Sequence, residues 1–340
     1  MFMFRKFLLL LTVCSVIVCS AACSFGADPK IMRIASHTST KSDSYDYICE
    51  TMLNRLISEY TNGSIKVEYY PASQLGSSTE LIEALAMGSI QSVSGIAYDL
   101  YIGIEPLCAI TVMPYLFRNF EHYRAFLETP GSVIDEVNAS LAKESDVLVL
   151  GYIYRAPRVT ITKGKGIRKP DDFKGMVIRS PESASNVKWL EAMGASPVTI
   201  AWSELYTSLS QGAVEGAENS ITMITDFGLQ DIVDYCSETN HMMMSTVIPV
   251  NKTWFEALTQ DEQNAIRKAA KEVTAYSWNA FREPINASWD AFRKAGVTCI
   301  RADEIDFDAF QKQSANVYKY FVKEGYFTED QYNRILNMKY

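Results

Sequence analysis

Short apolar runs and helix-like patterns alternate along the first part of the chain. The runs KIMRIAS (30–36) and SIKVEYYP (64–71) predict strands, because both are short, rich in apolar residues and bounded by polar loops or turns. Between them, apolar residues at helical spacing predict a helix from about Tyr45 to Thr61. The segment SSTE at 77–80 forms a capping box, which predicts the start of another helix. This alternation is typical of an α/β layered domain.

The second part of the chain repeats the alternation and adds one unusually long helix. VLVLGYIY (147–154) and MVIRS (176–180) predict two further strands, the first of which leads the chain into a second domain. A second capping box, TQDE at 259–262, begins a helical pattern that reaches about Ala295. Pro284 interrupts this pattern and predicts a kink, because proline removes a backbone hydrogen bond. Since one small domain does not need so long a helix, we predict that two domains share it.

Length and charge agree with two globular domains and exclude some partners. The chain has 340 residues, of which 48% are hydrophobic and 21% are charged. Its formal net charge of -8 argues against nucleic acid or an anionic membrane surface as a partner. A negatively charged ligand stays possible, because the local field inside a cleft outweighs distant surface charge.

The N-terminus has the organisation of an export signal. Arg5 and Lys6 precede an apolar run at 7–18, and small residues follow at 20–22, which predicts a signal peptide over residues 1–22. The run is too short for a permanent transmembrane helix. Cys23 follows a lipobox-like Ser-Ala-Ala and is a candidate lipidation site; the alternative is ordinary cleavage that releases a soluble protein. We therefore expect an exported protein, either periplasmic or lipid-anchored on the outer side of the cytoplasmic or outer membrane.

Metal, cofactor and catalytic motifs are missing from the sequence. The three histidines do not have metal-ligand spacing, so we predict no metal site. There is no G-x-S-x-G, P-loop or G-x-G-x-x-G motif in a suitable context, so we predict no cofactor and no catalytic residues. Four cysteines remain after Cys23, and their spacing leaves both disulfides and buried free thiols open: Cys49, Cys108, Cys236 and Cys299.

Residue types between 154 and 223 suit the binding of an anion. Arg158 and Arg179 lie in strand-like runs, and a planar guanidinium matches a carboxylate with two parallel hydrogen bonds. Trp202 offers a flat apolar wall before a helix start, and Asn219 follows a glycine-punctuated turn. For each residue a structural role is the alternative: an internal salt bridge for an arginine, a core position for the tryptophan, an Asx turn for the asparagine.

Two motifs in this region resemble the solute-binding proteins of TRAP transporters, the DctP-like family. KPDDFKGMVIRSP (169–181) is similar to the family pattern P-x-D-hydrophobic-K-G-x-hydrophobic-R, and WSELYTSLSQGAVEGAEN (202–219) to S-E-x-Y-x-x-L-x-x-G-x-x-D/E-G-x-E-N. Glu215 stands where aspartate is commoner. Further similar blocks lie at 62–91 and 113–128, so the resemblance covers nearly the whole mature chain.

The resemblance implies a fold and a function. The fold is a two-domain periplasmic-binding-protein architecture, class II-like, with a cleft between two lobes, crossing strands and a long kinked helix shared by both. Lobe I would comprise 30–152 and about 245–283; lobe II, about 153–244 and 284–340. The protein would be a monomeric receptor that captures a small carboxylate solute, an organic or sugar acid, and delivers it to a TRAP membrane permease. The alternatives are an ABC-type or sensor-linked binding protein and an exported enzyme.

The resemblance also assigns roles in the cleft. Arg179 would clamp the ligand carboxylate, and Asn219 would be a second donor to it. Arg158 occupies the position of a second family arginine, with nearby Arg155 as the alternative, and Trp202 would pack on the ligand. Two further candidates follow strands at the edge where open α/β sheets bind ligands: Tyr98 and His37.

Overall fold

The computed structural model describes residues 28–340. The signal peptide predicted over 1–22 and the lipidation site Cys23 lie outside the described residues. Within 28–340, no helix combines the length and the apolar character that crossing a membrane requires.

Eleven strands and twelve α-helices follow one another along the described chain. The strands are β1 (Lys30–Ser36), β2 (Ile65–Tyr70), β3 (Ser92–Ser94), β4 (Val147–Arg155), β5 (Arg158–Thr162), β6 (Val177–Ser180), β7 (Ser196–Thr199), β8 (Gly216–Ser220), β9 (Tyr235–Ser237), β10 (Met244–Asn251) and β11 (Thr298–Ile300). The helices are α1 (Tyr45–Tyr60), α2 (Ser78–Ala86), α3 (Phe120–Glu128), α4 (Val133–Glu144), α5 (Ala184–Met193), α6 (Leu205–Ser210), α7 (Ile221–Asp226), α8 (Lys252–Glu256), α9 (Gln260–Ala280), α10 (Arg282–Lys294), α11 (Phe307–Lys323) and α12 (Glu329–Leu336).

Two separate sheets form the centres of two lobes, which confirms the predicted α/β class. The first sheet has the strand order β2-β1-β3-β10-β4, and the second has the order β11-β9-β5-β8-β6-β7. In the first sheet β1 pairs in parallel with β2 and β3, whereas β10 runs antiparallel to β3 and β4. In the second, β6 is parallel to β7 and β8, and β5 is antiparallel to β8 and β9. We call the parts built on these sheets the first and the second lobe.

The chain passes between the two sheets at two adjacent places. Strand β4 belongs to the first sheet up to Arg155, and β5 begins the next pairing in the second sheet at Arg158. The return runs from β9, which ends at Ser237, to β10, which begins at Met244. Since β4 and β10 are antiparallel neighbours, the two crossings lie side by side. This arrangement joins the lobes through a narrow connection.

The long helical segment spans both lobes, as the sequence predicts. Its capping box is present, with Thr259 accepting from the backbone N–H of Glu262 and Glu262 accepting from that of Thr259. Helix α9 packs against β4 and α1 of the first lobe, and α10 against α7 and β11 of the second. The break lies at Phe281, because Pro284 has no N–H to offer the carbonyl of Ala280.

The C-terminal segment also contacts both lobes. Helix α11 packs against α5 of the second lobe, whereas α12 packs against α4 of the first. Arg334 pairs with Glu136 at 2.6 Å, and the carbonyl of Ile335 accepts from the imidazole of His122 at 2.9 Å. The sequence assigned the whole range 284–340 to the second lobe; α12 departs from that assignment, because its amphipathic face is buried on the first lobe.

The four cysteines of the described chain are free thiols. Cys49, Cys108 and Cys236 are buried, and Cys299 is partly exposed. Burial raises the pKa of each of these thiols above its usual value. The sequence left both disulfides and free thiols open, and in the structure these four cysteines are unpaired.

Helix α9 lies so close to β4 that a side chain is excluded at Gly151. A Cβ added there would meet the Thr274 hydroxyl at 2.6 Å and the Ala270 carbonyl oxygen at 3.2 Å. We expect Gly151→Ala to lower the free energy of unfolding by about 1–3 kcal/mol through this overpacking. Gly103→Ala is the matched control, because nothing lies within 4 Å of its added Cβ. Urea unfolding of both variants checks the prediction; equal stability of the two would contradict the close packing.

Candidate functional site

A cavity lies between the lobes and draws its walls from both sheets. Its empty volume is about 510 Å³, counted out to its opening into solvent. The first lobe contributes the residues that follow β1 and β3, and the second lobe the ends of β6 and β8. The walls include five of the six candidates from the sequence, together with the alternative arginine: His37, Arg158, Arg179, Trp202, Asn219 and Arg155.

Arg179 is a buried cation with no acidic partner. It lies on β6 and is 2% exposed. Its Nε donates to the carbonyl of Ile200 at 2.8 Å, while Nη1 is buried without a hydrogen-bond partner among residues 28–340. No carboxylate of the described chain lies within 4.0 Å of its guanidinium. Burial lowers the pKa of Arg179 to about 10, against the opposing field of Glu218. The alternative role, an internal salt bridge, is therefore absent for this residue in the described structure.

Arg158, in contrast, is held by acidic side chains. Its guanidinium pairs in two places with the carboxylate of Glu218 on β8, one of them an Nη2–Oε1 bond of 2.9 Å, and reaches Asp99 of the first lobe at 3.3 Å. Burial alone would raise the pKa of Glu218, but Arg158 and a hydrogen bond from His241 lower it to about 2. The charge of Arg158 is thus compensated before any ligand is present.

His241 completes this buried network. Its Nε2 lies 3.2 Å from Glu218 Oε2, and its ring stacks on Trp189 at a centroid distance of 3.8 Å. Burial lowers the pKa of His241. Neither Glu218 nor His241 was a candidate from the sequence, although Glu218 lies in the stretch GAEN of the second motif. The pairing of Glu218 with Arg158 depends on β5 and β8 being neighbours, and single residues of the sequence do not show this.

Arg155 belongs to a second internal pair. Its Nε donates to Asp46 Oδ1 at 2.6 Å, and both side chains are 1% exposed. Its Nη1 donates to the carbonyl of Gly95 at 3.1 Å, and its Nη2 is buried without a partner among residues 28–340. Arg155 and Arg158 therefore both border the cavity, and each has its own acidic partner.

Three further candidates contribute polar or apolar surface to the cavity. The Asn219 side-chain oxygen accepts from the backbone N–H of Ser220 at 2.8 Å, as an Asx-type contact does. The Trp202 ring lies 5.5 Å from the Arg179 guanidinium, and its Nε1 is buried without a partner in the described chain. His37 Nδ1 lies 2.6 Å from the Ser78 hydroxyl. Burial lowers the pKa of His37 to about 3, with Arg155 and Arg179 acting in the same direction.

Tyr98 is the candidate that does not reach the cavity. Its neighbours Ala97 and Asp99 line the cavity, but Tyr98 begins a 3-10 turn and is 1% exposed. Its hydroxyl donates to Asn138 at 2.6 Å, and its ring packs beside Tyr152. The expectation of a ligand contact is corrected by this placement, because the turn directs the ring into the core of the first lobe.

Metal binding finds no basis in the described structure. No group of three or more His, Cys, Asp or Glu side chains within residues 28–340 has an arrangement that could hold a metal ion. The chemistry that the cavity offers is hydrogen-bond donation and one uncompensated positive charge.

The low pKa of His37 predicts a pH-dependent stability. Below its ordinary pKa of 6.5 the unfolded chain takes up a proton that the folded protein excludes until about pH 3. We expect the free energy of unfolding of the wild type, relative to that of His37→Gln, to fall as the pH is lowered. The decrease should be about 1.4 kcal/mol for each pH unit in the middle of this window. Urea unfolding of both proteins between about pH 7 and 4 measures this difference. If the stabilities of the two proteins changed with pH in the same way, His37 would accept a proton in the folded protein, and the prediction would be wrong.

Comparison with known proteins identifies the family. Residues 35–324 match the bacterial extracellular solute-binding protein family 7, named DctP. The 2,3-diketo-L-gulonate-binding periplasmic protein YiaO of Escherichia coli is 28% identical, over 86% of this chain and 87% of its own. The C4-dicarboxylate-binding periplasmic protein DctP of Rhodobacter capsulatus is 27% identical, over 72% of each chain.

Solved structures agree with this assignment. A TRAP periplasmic solute binding protein from Xanthobacter autotrophicus with bound β-D-galacturonate is 28% identical and superposes with a TM-score of 0.83. The match covers 91% of this chain and 100% of that one. It confirms the two-lobed architecture implied by the motifs. The chain therefore belongs to the bacterial extracellular solute-binding protein family 7, the DctP-like solute-binding proteins of TRAP transporters.

Proposed function

We propose that this protein captures a small carboxylate solute in the cavity between its lobes and delivers it to a TRAP-type membrane permease. The observation that carries the proposal is the state of Arg179, which lines the cavity, is buried, and has no acidic partner in the described chain. A buried guanidinium without a counter-charge destabilises the ligand-free protein. A bound anion would therefore make the favourable charge interaction that an internal acid would otherwise make.

The surroundings of Arg179 suit the binding of a carboxylate. Its Nε is already occupied by the carbonyl of Ile200, which fixes the plane of the guanidinium. The remaining nitrogens are available for the paired oxygens of a carboxylate. Trp202 lies beside this position and offers a flat wall to the carbon chain of the ligand. Asn219 borders the same cavity, and its amide nitrogen is a second candidate donor.

Capture requires the lobes to part and close again, and the structure contains contacts that closure would make. The hydroxyl of Thr79 in the first lobe donates to Glu182 in the second. The Ser44 hydroxyl donates to Asp226 at 2.6 Å across the same gap. These two contacts connect the lobes through side chains, whereas the covalent connections are the adjacent crossing segments, the break at Phe281 and the segment between α11 and α12. We propose that these connections act as the hinge and that ligand favours the closed form.

The wider role follows from the relatives. Their names and bound molecules include 2,3-diketo-L-gulonate, C4-dicarboxylates and galacturonate, all of which carry a carboxylate. We propose the same class of ligand here, in a monomeric receptor without enzymatic activity. We also propose an exported protein, either periplasmic or anchored through a lipid on Cys23. The two acidic side chains that line the cavity support binding rather than catalysis, because Asp99 is engaged by Arg158 and Glu182 accepts from the Thr79 hydroxyl.

Removal of the free cation is expected to abolish tight binding. For the tightest ligand found by thermal-shift screening of organic and sugar acids, Arg179→Met should weaken affinity about 100-fold, because a desolvated charge pair is lost. Isothermal titration calorimetry measures the change. Arg55→Met is the matched control, since Arg55 is exposed and pairs only with Glu59 on the same helix surface. Unchanged affinity in Arg179→Met would remove Arg179 from the site.

Substitutions of two of the three buried arginines, Arg179 and Arg155, should differ in their effect on the stability of the ligand-free protein. Arg179→Met removes a cation that has no partner, so we expect the free energy of unfolding to be maintained or raised. Arg155→Met leaves the carboxylate of Asp46 buried and unpaired, which should lower stability by about 3–5 kcal/mol. Denaturant unfolding without ligand compares them. A greater loss in Arg179→Met would indicate an internal structural role for Arg179.

A further inference from the structure

The cavity has three arginines but only one uncompensated positive charge. Arg155 pairs with Asp46, and Arg158 pairs with Glu218 and with Asp99. The paired acids are all at most 5% exposed in their side chains, so solvent does little to weaken these interactions. A second negative charge on the ligand would therefore find no free cation among the residues that line the cavity.

The unsatisfied polar atoms at the cavity are all nitrogens, and they fall into two groups. In the second lobe they are Arg179 Nη1 and Trp202 Nε1, which lie on residues in mutual contact. In the first lobe they are Arg155 Nη2 and His37 Nε2. Each group belongs to residues that line the cavity. The first group combines a free charge with an apolar wall, and the second is electrically neutral overall, because Arg155 is compensated and His37 is uncharged at neutral pH.

The neutral group suits hydroxyl oxygens rather than a carboxylate. The hydrogen bond between His37 Nδ1 and Ser78 leaves Nε2 as either a donor or an acceptor, depending on the tautomer. A ligand hydroxyl satisfies Nε2 in both cases, because it donates and accepts, whereas a carboxylate satisfies only the donor form. A second carboxylate would also enter a cavity that already contains two acidic side chains, Asp99 and Glu182. The like charges would repel it.

We propose that the solute is a polyhydroxy monocarboxylate, held by its one carboxylate at Arg179 and by tail hydroxyls at Arg155 and His37. This rests on the proposed function and selects one class among the carboxylates that it allows. Aldonates and uronates have this chemistry; dicarboxylates do not. Asp46 is then a specificity residue that touches no ligand, since it removes the charge of Arg155 while leaving a donor.

The test compares acids that differ in the number of carboxylates, in length and in hydroxylation. The mature protein is titrated calorimetrically with three acids: D-galactonate, galactarate and succinate. Galactarate has a carboxylate at both ends, so the comparison separates the effect of charge from that of size. We expect D-galactonate, or another aldonate or uronate of the same panel, to bind at least about 100-fold more tightly than any dicarboxylate.

The outcomes distinguish this inference from the function on which it rests. Tight binding of galactarate or succinate, within about tenfold of the best monocarboxylate, overturns the inference and leaves carboxylate capture intact. Absence of binding for every acid in the panel overturns both. Preference for an unhydroxylated monocarboxylate such as hexanoate overturns the part assigned to the tail hydroxyls.

A variant in the first lobe tests the tail contact directly. His37→Leu removes the imidazole nitrogens and should weaken the binding of the preferred hydroxylated acid about tenfold, the usual effect of one neutral hydrogen bond. Thr40→Ala is the matched control, because Thr40 is exposed, lies in the same loop and does not line the cavity. Circular dichroism checks that both variants are folded. Unchanged affinity in folded His37→Leu overturns the assignment of the hydroxyls to the first lobe.

Discussion

The arrangement at the cleft depends on the uncompensated charge of Arg179. Folding places this guanidinium at 2% exposure without an acid to pair with it, a state that most proteins avoid. The protein can keep such a group because the surrounding elements fix it: β6 supplies its backbone position, and the carbonyl of Ile200 holds its Nε. The stability of the rest of the fold therefore sustains a local instability, which the proposed carboxylate ligand would relieve.

The nearby acidic side chains do not form an ion pair with Arg179, because other groups hold them. Glu218 is the natural competitor, since its field already acts on Arg179. Its two oxygens are occupied by Arg158 and His241, and its backbone is fixed by the pairing of β5 with β8. The ion pair at Arg158 thus serves the site indirectly: by satisfying Glu218, it keeps the positive charge of Arg179 available. In this reading the family arginine at 158 is a positioning residue as well as part of the cavity wall.

The sequence revealed those features whose cause is local. The capping boxes at Ser77 and Thr259, the break before Pro284 and the strand around Arg179 each follow from a few adjacent residues, and all are present. Long-range pairings were not accessible in this way. The compensation of Arg155 by Asp46 joins residues more than a hundred positions apart.

Two other differences have the same origin. The direction of Tyr98 depends on a 3-10 turn that has no distinctive pattern in the sequence. The placement of α12 on the first lobe depends on a complementary surface provided by α4, not on the segment itself. Family motifs identified residues near the cavity, but they did not show which arginine lacks an acidic partner. That became clear only from the positions of the acidic side chains.

The C-terminal segment has a practical consequence for work with this protein. Its last residue, Tyr340, stacks on His122 with ring centroids 5.0 Å apart and lies under the guanidinium of Arg118. A fusion or affinity handle joined after Tyr340 would start beside this aromatic contact, on the segment that connects both lobes. A reporter fused there would record the disturbance of that connection together with the response to solute.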